Sequence, residues 1–139
     1  MKIVTSRIKF STAGNCEIRK ITEQIKEELR RSGLSTGTVT VFVPGATGAI
    51  TAGEYEPGLL KDMKTFFEKL APESEKYNHD ADSPRGNAQS HLKAALVGPS
   101  LTIPFEESTL TRGTWQEILF IDFDNRTRQR EIIIKIIGE

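Results

Sequence analysis

The chain's two histidines are the residues best suited to moving protons near neutral pH, and imidazole is also a frequent metal ligand. His79 stands in Tyr77-Asn-His-Asp80 and His91 in Gln89-Ser-His-Leu92. They bracket a polar connection, Glu73 to Asn87, with few aliphatic side chains and much Asp, Ser, Pro and Gly. A loop this long inside a compact domain is usually mobile or functional. Asp80 and Asp82 are close enough in sequence to orient an imidazole or to help hold a divalent cation. Their spacing matches no metal-binding motif, and His91 equally suits a structural place at a helix start.

Other candidates are more ambiguous. Glu54, in Thr51-Ala-Gly-Glu-Tyr55, follows a strand end and reads as a general base or as a solvated loop residue. The loop Pro44-Gly-Ala-Thr-Gly48 could bring backbone N–H groups up to a phosphate, although it lacks the Gly-Lys-Ser/Thr ending of a P-loop. Trp115 reads as core or as a stacking platform, with Gln116 on the opposite face of the same strand. Arg126, Arg128 and Arg130 alternate with polar residues, which suits phosphate or carboxylate recognition, or the blunting of an edge strand. Cys16 is the only cysteine, so no intrachain disulfide forms, and a small residue near a helix start is its simplest reading.

The elements that must position these residues read as α+β with a mainly antiparallel sheet and about three helices. Lys2 to Phe10 alternates as a strand. Ile18, Ile21, Ile25 and Leu29 recur at helical spacing, with Gly33 as C-terminal cap. Thr38 to Val43 is a β-branched strand, followed by a short one around Ile50 and Thr51. Pro57-Gly58 opens a second helix whose stripe Leu59, Leu60, Met63, Phe66, Phe67 and Leu70 reads as core, ended by Pro72. His91 to Val97 reads as a third helix capped by Asn87 or Ser90 and closed by Gly98. The remainder reads as strands over Ser100 to Phe105, Thr114 to Phe123 and Gln129 to Ile137, with Pro104 marking the first as an edge or bulge.

With 139 residues the chain fits one domain, residues 1–139, large enough to bury a core. Hydrophobic residues at 37% and charged residues at 27% are an ordinary globular mix. Nineteen basic and nineteen acidic residues cancel, which argues against nucleic-acid binding through a basic face. No long apolar run reads as a signal peptide or membrane span, so a cytoplasmic place is expected.

Several of these fragments fall into one ordered pattern. Tyr77-x-His79-Asp80, Ser90-His91-Leu92-Lys93 with Gly98, Gly113-Thr114-Trp115-Gln116, Arg128-x-Arg130 and Gly138-Glu139 together resemble the YjbQ-like family. Members are also labelled secondary thiamine-phosphate synthases. Val43-Pro-Gly-Ala-Thr-Gly-Ala-Ile-Thr51, leading to Glu54, is similar to the same family, and the likeness spans essentially the whole chain.

The resemblance implies a compact α+β subunit that assembles as a homotrimer. It also implies a pocket for a phosphorylated small molecule. The catalytic residues would be Glu54, His79, Asp80, His91 and Gln116, with Thr47, Thr51, Asn87, Trp115, Arg128 and Arg130 contacting substrate. His79 and His91 would hold a divalent metal ion. The implied reaction joins a pyrimidine diphosphate to a thiazole phosphate and releases pyrophosphate. Many members carry His where this chain has Gly45, and Thr where it has Ala46, so one ligand of a three-histidine site is missing here. Gly53, Ser108 and Thr127 are further departures.

Overall fold

The structure, a computed structural model, describes residues 1–139. In chain order its elements are β1 (Lys2–Thr12), β2 (Glu17–Lys20), α1 (Thr22–Ser32), β3 (Gly37–Phe42) and β4 (Gly48–Gly53). There follow α2 (Pro57–Leu70), a 3₁₀ turn at Asn78–Ala81, α3 (Ala88–Val97), β5 (Ser100–Glu106), β6 (Thr109–Leu110), β7 (Glu117–Asp122) and β8 (Arg128–Gly138). The strands form two antiparallel sheets, one ordered β1-β8-β3-β5-β6 and the other β2-β7-β4. The fold is α+β, as the alternation of strand and helix patterns predicts.

β7 explains how the layers stack. Its run of apolar residues is buried on both faces, as in a strand covered from both sides. Ile118 and Phe120 enter one core with Ile21, just before α1, Ile25 and Leu29 of α1, and Ile132, Ile134 and Ile136 of β8. Leu119 and Ile121 enter a second core with Ala49, Phe67 of α2 and Ala94 of α3. The three-stranded sheet is therefore the middle layer. The larger sheet and α1 lie on one side of it, and α2 and α3 on the other.

Most predicted elements stand, and the differences have physical causes. Ile18 shares helical spacing with Ile21 but lies in β2 opposite Ile121, because strand pairing places it in the second core and the helix starts only at Thr22. Gly33 does cap α1, in the left-handed region at φ +70°. β7 begins at Glu117, so Thr114 to Gln116 form a turn before the strand. α2 starts at Pro57, with the Glu56 carboxylate accepting from the Gly58 and Leu59 N–H groups, which holds that carboxyl below its usual range. Its predicted core stripe is only partly core. Phe67 is buried, whereas Phe66 and Leu70 stay more than half exposed within one chain. Asn87 occupies the position before α3 but its side chain caps nothing. No helix is long and apolar enough to cross a membrane.

Candidate functional site

β4 and α3 carry the site. The loop Pro44 to Thr47 enters β4, and α3 lays His91 against it, with His91 Nδ1 3.2 Å from the Ala46 carbonyl oxygen. A carbonyl only accepts, so Nδ1 carries the proton of the neutral ring and Nε2 keeps its lone pair free. His79 comes from the 3₁₀ turn. Asp80 Oδ2 accepts from the Tyr77 N–H at 2.9 Å, and the Tyr77 hydroxyl donates to the Pro72 carbonyl at 2.6 Å. These bonds hold the turn so that the two imidazoles meet edge to face, with centroids 5.0 Å apart. Open cavities flank the pair. One, of about 400 Å³, lies among Tyr77, His79, Ala88 and Leu92, and the other, of about 360 Å³, among Gly45, Ala46, His91 and Pro99.

Beneath the loop lies a buried polar network. The Arg130 side chain is 2% exposed, with Nε and Nη2 each donating to Asp122 at 2.8 Å and Nη2 also to Thr47 Oγ1 at 2.9 Å. The Thr12 hydroxyl donates to the same Asp122 carboxylate. Thr47 in turn donates to Asp124, which accepts from Arg128 Nη1 at 2.6 Å. Burial alone would push the Asp124 carboxyl up, but the Arg128 hydrogen bond, the Asn125 N–H and Thr47 outweigh it and hold the pKa below the usual range.

Arg130 Nη1 has no hydrogen-bond partner in the chain. A Cβ at Gly45 would stand 3.6 Å from it. Gly45 sits at φ +109°, a conformation that suits glycine, so only a hydrogen separates the loop from that nitrogen. The backbone N–H groups of Gly45, Ala46 and Thr47 donate to nothing in the chain either. Unspent donors from one loop and one buried guanidinium can receive an oxyanion beside the free Nε2 of His91.

The other sequence candidates divide sharply. Glu54, Trp115 and Gln116 lie at the far end of β4, where Gly53 pairs with Glu117, whereas Gly48 at the near end pairs with Asp122. Five strand steps of about 3.4 Å put the two ends roughly 17 Å apart. Glu54 is exposed, Trp115 is 74% exposed, and Gln116 Oε1 accepts from the Gly113 N–H at 3.1 Å. Thr51 is half-buried in mid-strand. Asn87 is buried, its Oδ1 accepting from the Ser83 hydroxyl at 3.4 Å. Within one chain His91 therefore meets His79 and the loop that Thr47 and Arg130 underlie, whereas Glu54, Trp115 and Gln116 lie at the other end of β4. The two imidazoles gain no third His, Cys, Asp or Glu, so one chain falls short of the three protein ligands usual at a zinc-like site.

Asp122 and Asp124 escaped the sequence reading. The signal was present, since an aspartate directly after the apolar run Ile118 to Ile121 must find a donor, and arginines follow across the turn.

Comparison with known proteins places the chain. Residues 6–139 match the family model described as UPF0047 protein YjbQ-like. A UPF0047 protein of Archaeoglobus fulgidus is 43% identical over 92% of this chain and 97% of its own length. One of Methanothermobacter thermautotrophicus is 34% identical over 100% of this chain and 95% of its own. The crystal structure of a YbjQ-like protein of unknown function from Sulfolobus solfataricus superposes with a TM-score of 0.94 at 34% identity, covering 99% of both chains. This chain belongs to the YjbQ/UPF0047 family, whose function is uncharacterised.

Proposed function

We propose that the Pro44–Gly48 loop binds the phosphoryl group of a small cytoplasmic metabolite, and that His91 and His79 move a proton beside it. The observation that carries this reading is Arg130 Nη1, the one nitrogen of an almost buried guanidinium with no partner in the chain, beneath a glycine. Phosphate oxygens are natural acceptors for such a guanidinium donor. Asp122 offsets part of the arginine's charge and fixes its plane, so the remaining donor is held ready.

The site is shared between copies of the chain in this reading. Leu92, beside His91, and Leu96, further along α3, are 51% and 65% exposed, while Trp115 stands exposed at the opposite end of β4. Two different apolar patches favour head-to-tail contact, which closes into a ring when the rotation allows, and the homotrimer implied by the resemblance is such a ring. Trp115, Gln116 and Glu54 of a neighbouring copy would then meet the histidines. Leu92→Asp with Leu96→Asp should shift sedimentation to the monomer and abolish ligand binding. A double variant that still sediments as wild type overturns the shared site.

The specific reaction joins the pyrimidine to the thiazole phosphate: the thiazole ring nitrogen forms a bond to the pyrimidine's methylene carbon as that carbon's bond to the diphosphate oxygen breaks and pyrophosphate leaves, with Arg130 and the loop N–H groups neutralising phosphate charge. Purified protein given both substrates should form thiamine phosphate and pyrophosphate, and His91→Ala should abolish both products. Inorganic phosphate and pyrophosphate should each raise the melting temperature, and if neither does, the anion site is overturned. The shortfall of protein ligands around the imidazoles favours a second reading, a non-catalytic binder of phosphorylated metabolites. It predicts the same stabilisation with no product. A divalent ion at His79 and His91 needs ligands from a neighbour or substrate, and equilibrium dialysis against Zn²⁺ with and without pyrophosphate tests it.

A further inference from the structure

α3 is amphipathic in reverse. Gln89, Ser90 and Lys93 are buried, whereas Leu92 and Leu96 face outward. The Lys93 side chain is 7% exposed. Its Nζ donates to Gln89 Oε1 at 2.6 Å and reaches Glu68 Oε2 only at 3.4 Å, longer than the roughly 2.8 Å of a firm charge-assisted bond. An ammonium has three donors, so one is unspent. A helix turns such residues inward only where something polar receives them.

Gln89 donates to Ser90 Oγ at 3.0 Å, and Gln89 and Lys93 face a cavity of about 190 Å³ between α2, α3 and the β1–β2 turn, a cavity that His91 does not line. At ~30 Å³ per water that is space for about six waters, room enough for a whole amino acid. Four charged side chains line it, Lys64 and Lys93 against Glu68 and Glu73. Glu68 is fixed there because its Oε1 also accepts the Glu73 N–H at 2.9 Å. Asn15 and Cys16 close the rim from consecutive left-handed positions, φ 56° and 62°, with the Asn15 N–H on the Asp124 carbonyl. Burial pushes the Cys16 thiol up more than Lys64 and Lys93 pull it down, so the thiol stays neutral and offsets neither ammonium. Phe123 supplies one apolar wall.

We infer that this cavity binds a small zwitterion of the α-amino-acid class, its carboxylate on Lys93 and Lys64 and its ammonium on Glu68 and Glu73. A phosphate or dicarboxylate would meet the two glutamates, and a simple amine would meet the two lysines. A molecule carrying both charges one carbon apart finds a complement for each.

The experiment is a thermal-shift and calorimetric titration of the full chain with the standard L-amino acids. Ethylamine and propionate, each keeping one of the two charges, serve as controls. At least one amino acid should give a saturable stabilisation that neither control reproduces. Glu73→Gln, at an exposed side chain that leaves the fold intact, and Lys93→Met should each weaken that binding about tenfold or more. Phosphate binding at the Arg130 loop should be unchanged in both variants. The assignment is overturned if no amino acid binds, if propionate alone matches the amino acid, or if affinity survives in both variants.

Discussion

Helices α1 and α3 are almost the same length, 11 and 10 residues, yet they treat their large side chains in opposite ways. α1 turns Ile25 and Leu29 inward and leaves its charges in water as pairs such as Arg30 with Glu27. α3 turns Gln89, Ser90 and Lys93 inward and leaves Leu92 and Leu96 outside. The first arrangement is what hydrophobic burial alone produces. The second buries only Ala88 and Ala94 as apolar residues and leaves its leucines outside, and it occurs where the helix bears His91 on one side and a charged cavity on another. The contrast separates a helix that holds the fold from one that builds sites.

Substitutions at matched positions should expose that difference. Leu29→Ala empties a fully packed place and should cost about 2–5 kcal/mol in urea unfolding, whereas Leu96→Ala should change the stability of the isolated chain by less than about 0.5 kcal/mol. Equal losses at both positions would erase the contrast. Lys93→Met exchanges a poorly paired buried charge for an apolar chain of similar shape, and should leave stability unchanged or raise it by up to about 2 kcal/mol. A clear loss would mean that Lys93 supports the fold as the leucines of α1 do.

The acid response should be smaller and local. The folded pKa of Asp124 lies below its unfolded value near 3.9, so its contribution is complete above about pH 4 and disappears as pH falls through the folded value. Asp124 holds Thr47, next to the Ala46 carbonyl on which His91 rests. Amide exchange at the start of α3 should therefore rise below about pH 4 before exchange in α1 does, and Asp124→Asn should remove that early step. Smallest of all is Glu27→Gln. The Arg30 hydrogen bond, with Arg31, holds Glu27 at about 2, but these are surface pairs screened by water, and their loss should leave the urea midpoint unchanged within error, most of all in high salt.

How much of this was legible depends on whether the informative contact is local. The strands β1, β3 and β8 and the cap at Gly33 follow from alternation and turn chemistry within a few residues. The same alternation puts Arg130 on the face of Ile132, Ile134 and Ile136, so its burial was written in period two, although the Arg126-Arg128-Arg130 array reads more readily as a surface patch. Its partner Asp122 lies on the preceding strand, and Thr12 and Thr47 come from remote parts of the chain. Trp115 reads by type as core or platform, and only the turn before β7 leaves it in solvent.

By itself the sequence determined the α+β class, most elements, the membership of two histidines in one polar segment, and the likeness to a family. Those features rest on local periodicity, turn residues and ordered motifs, which neighbouring residues specify. Only the tertiary structure decided which candidates meet. It set His79 against His91, left Arg130 with an unspent donor under Gly45, removed Glu54 and Gln116 to the other end of β4, and turned Lys93 inward. Such pairings depend on sheet order and on how helices lie across a sheet. They arise from burial summed over the whole chain, which no local stretch encodes.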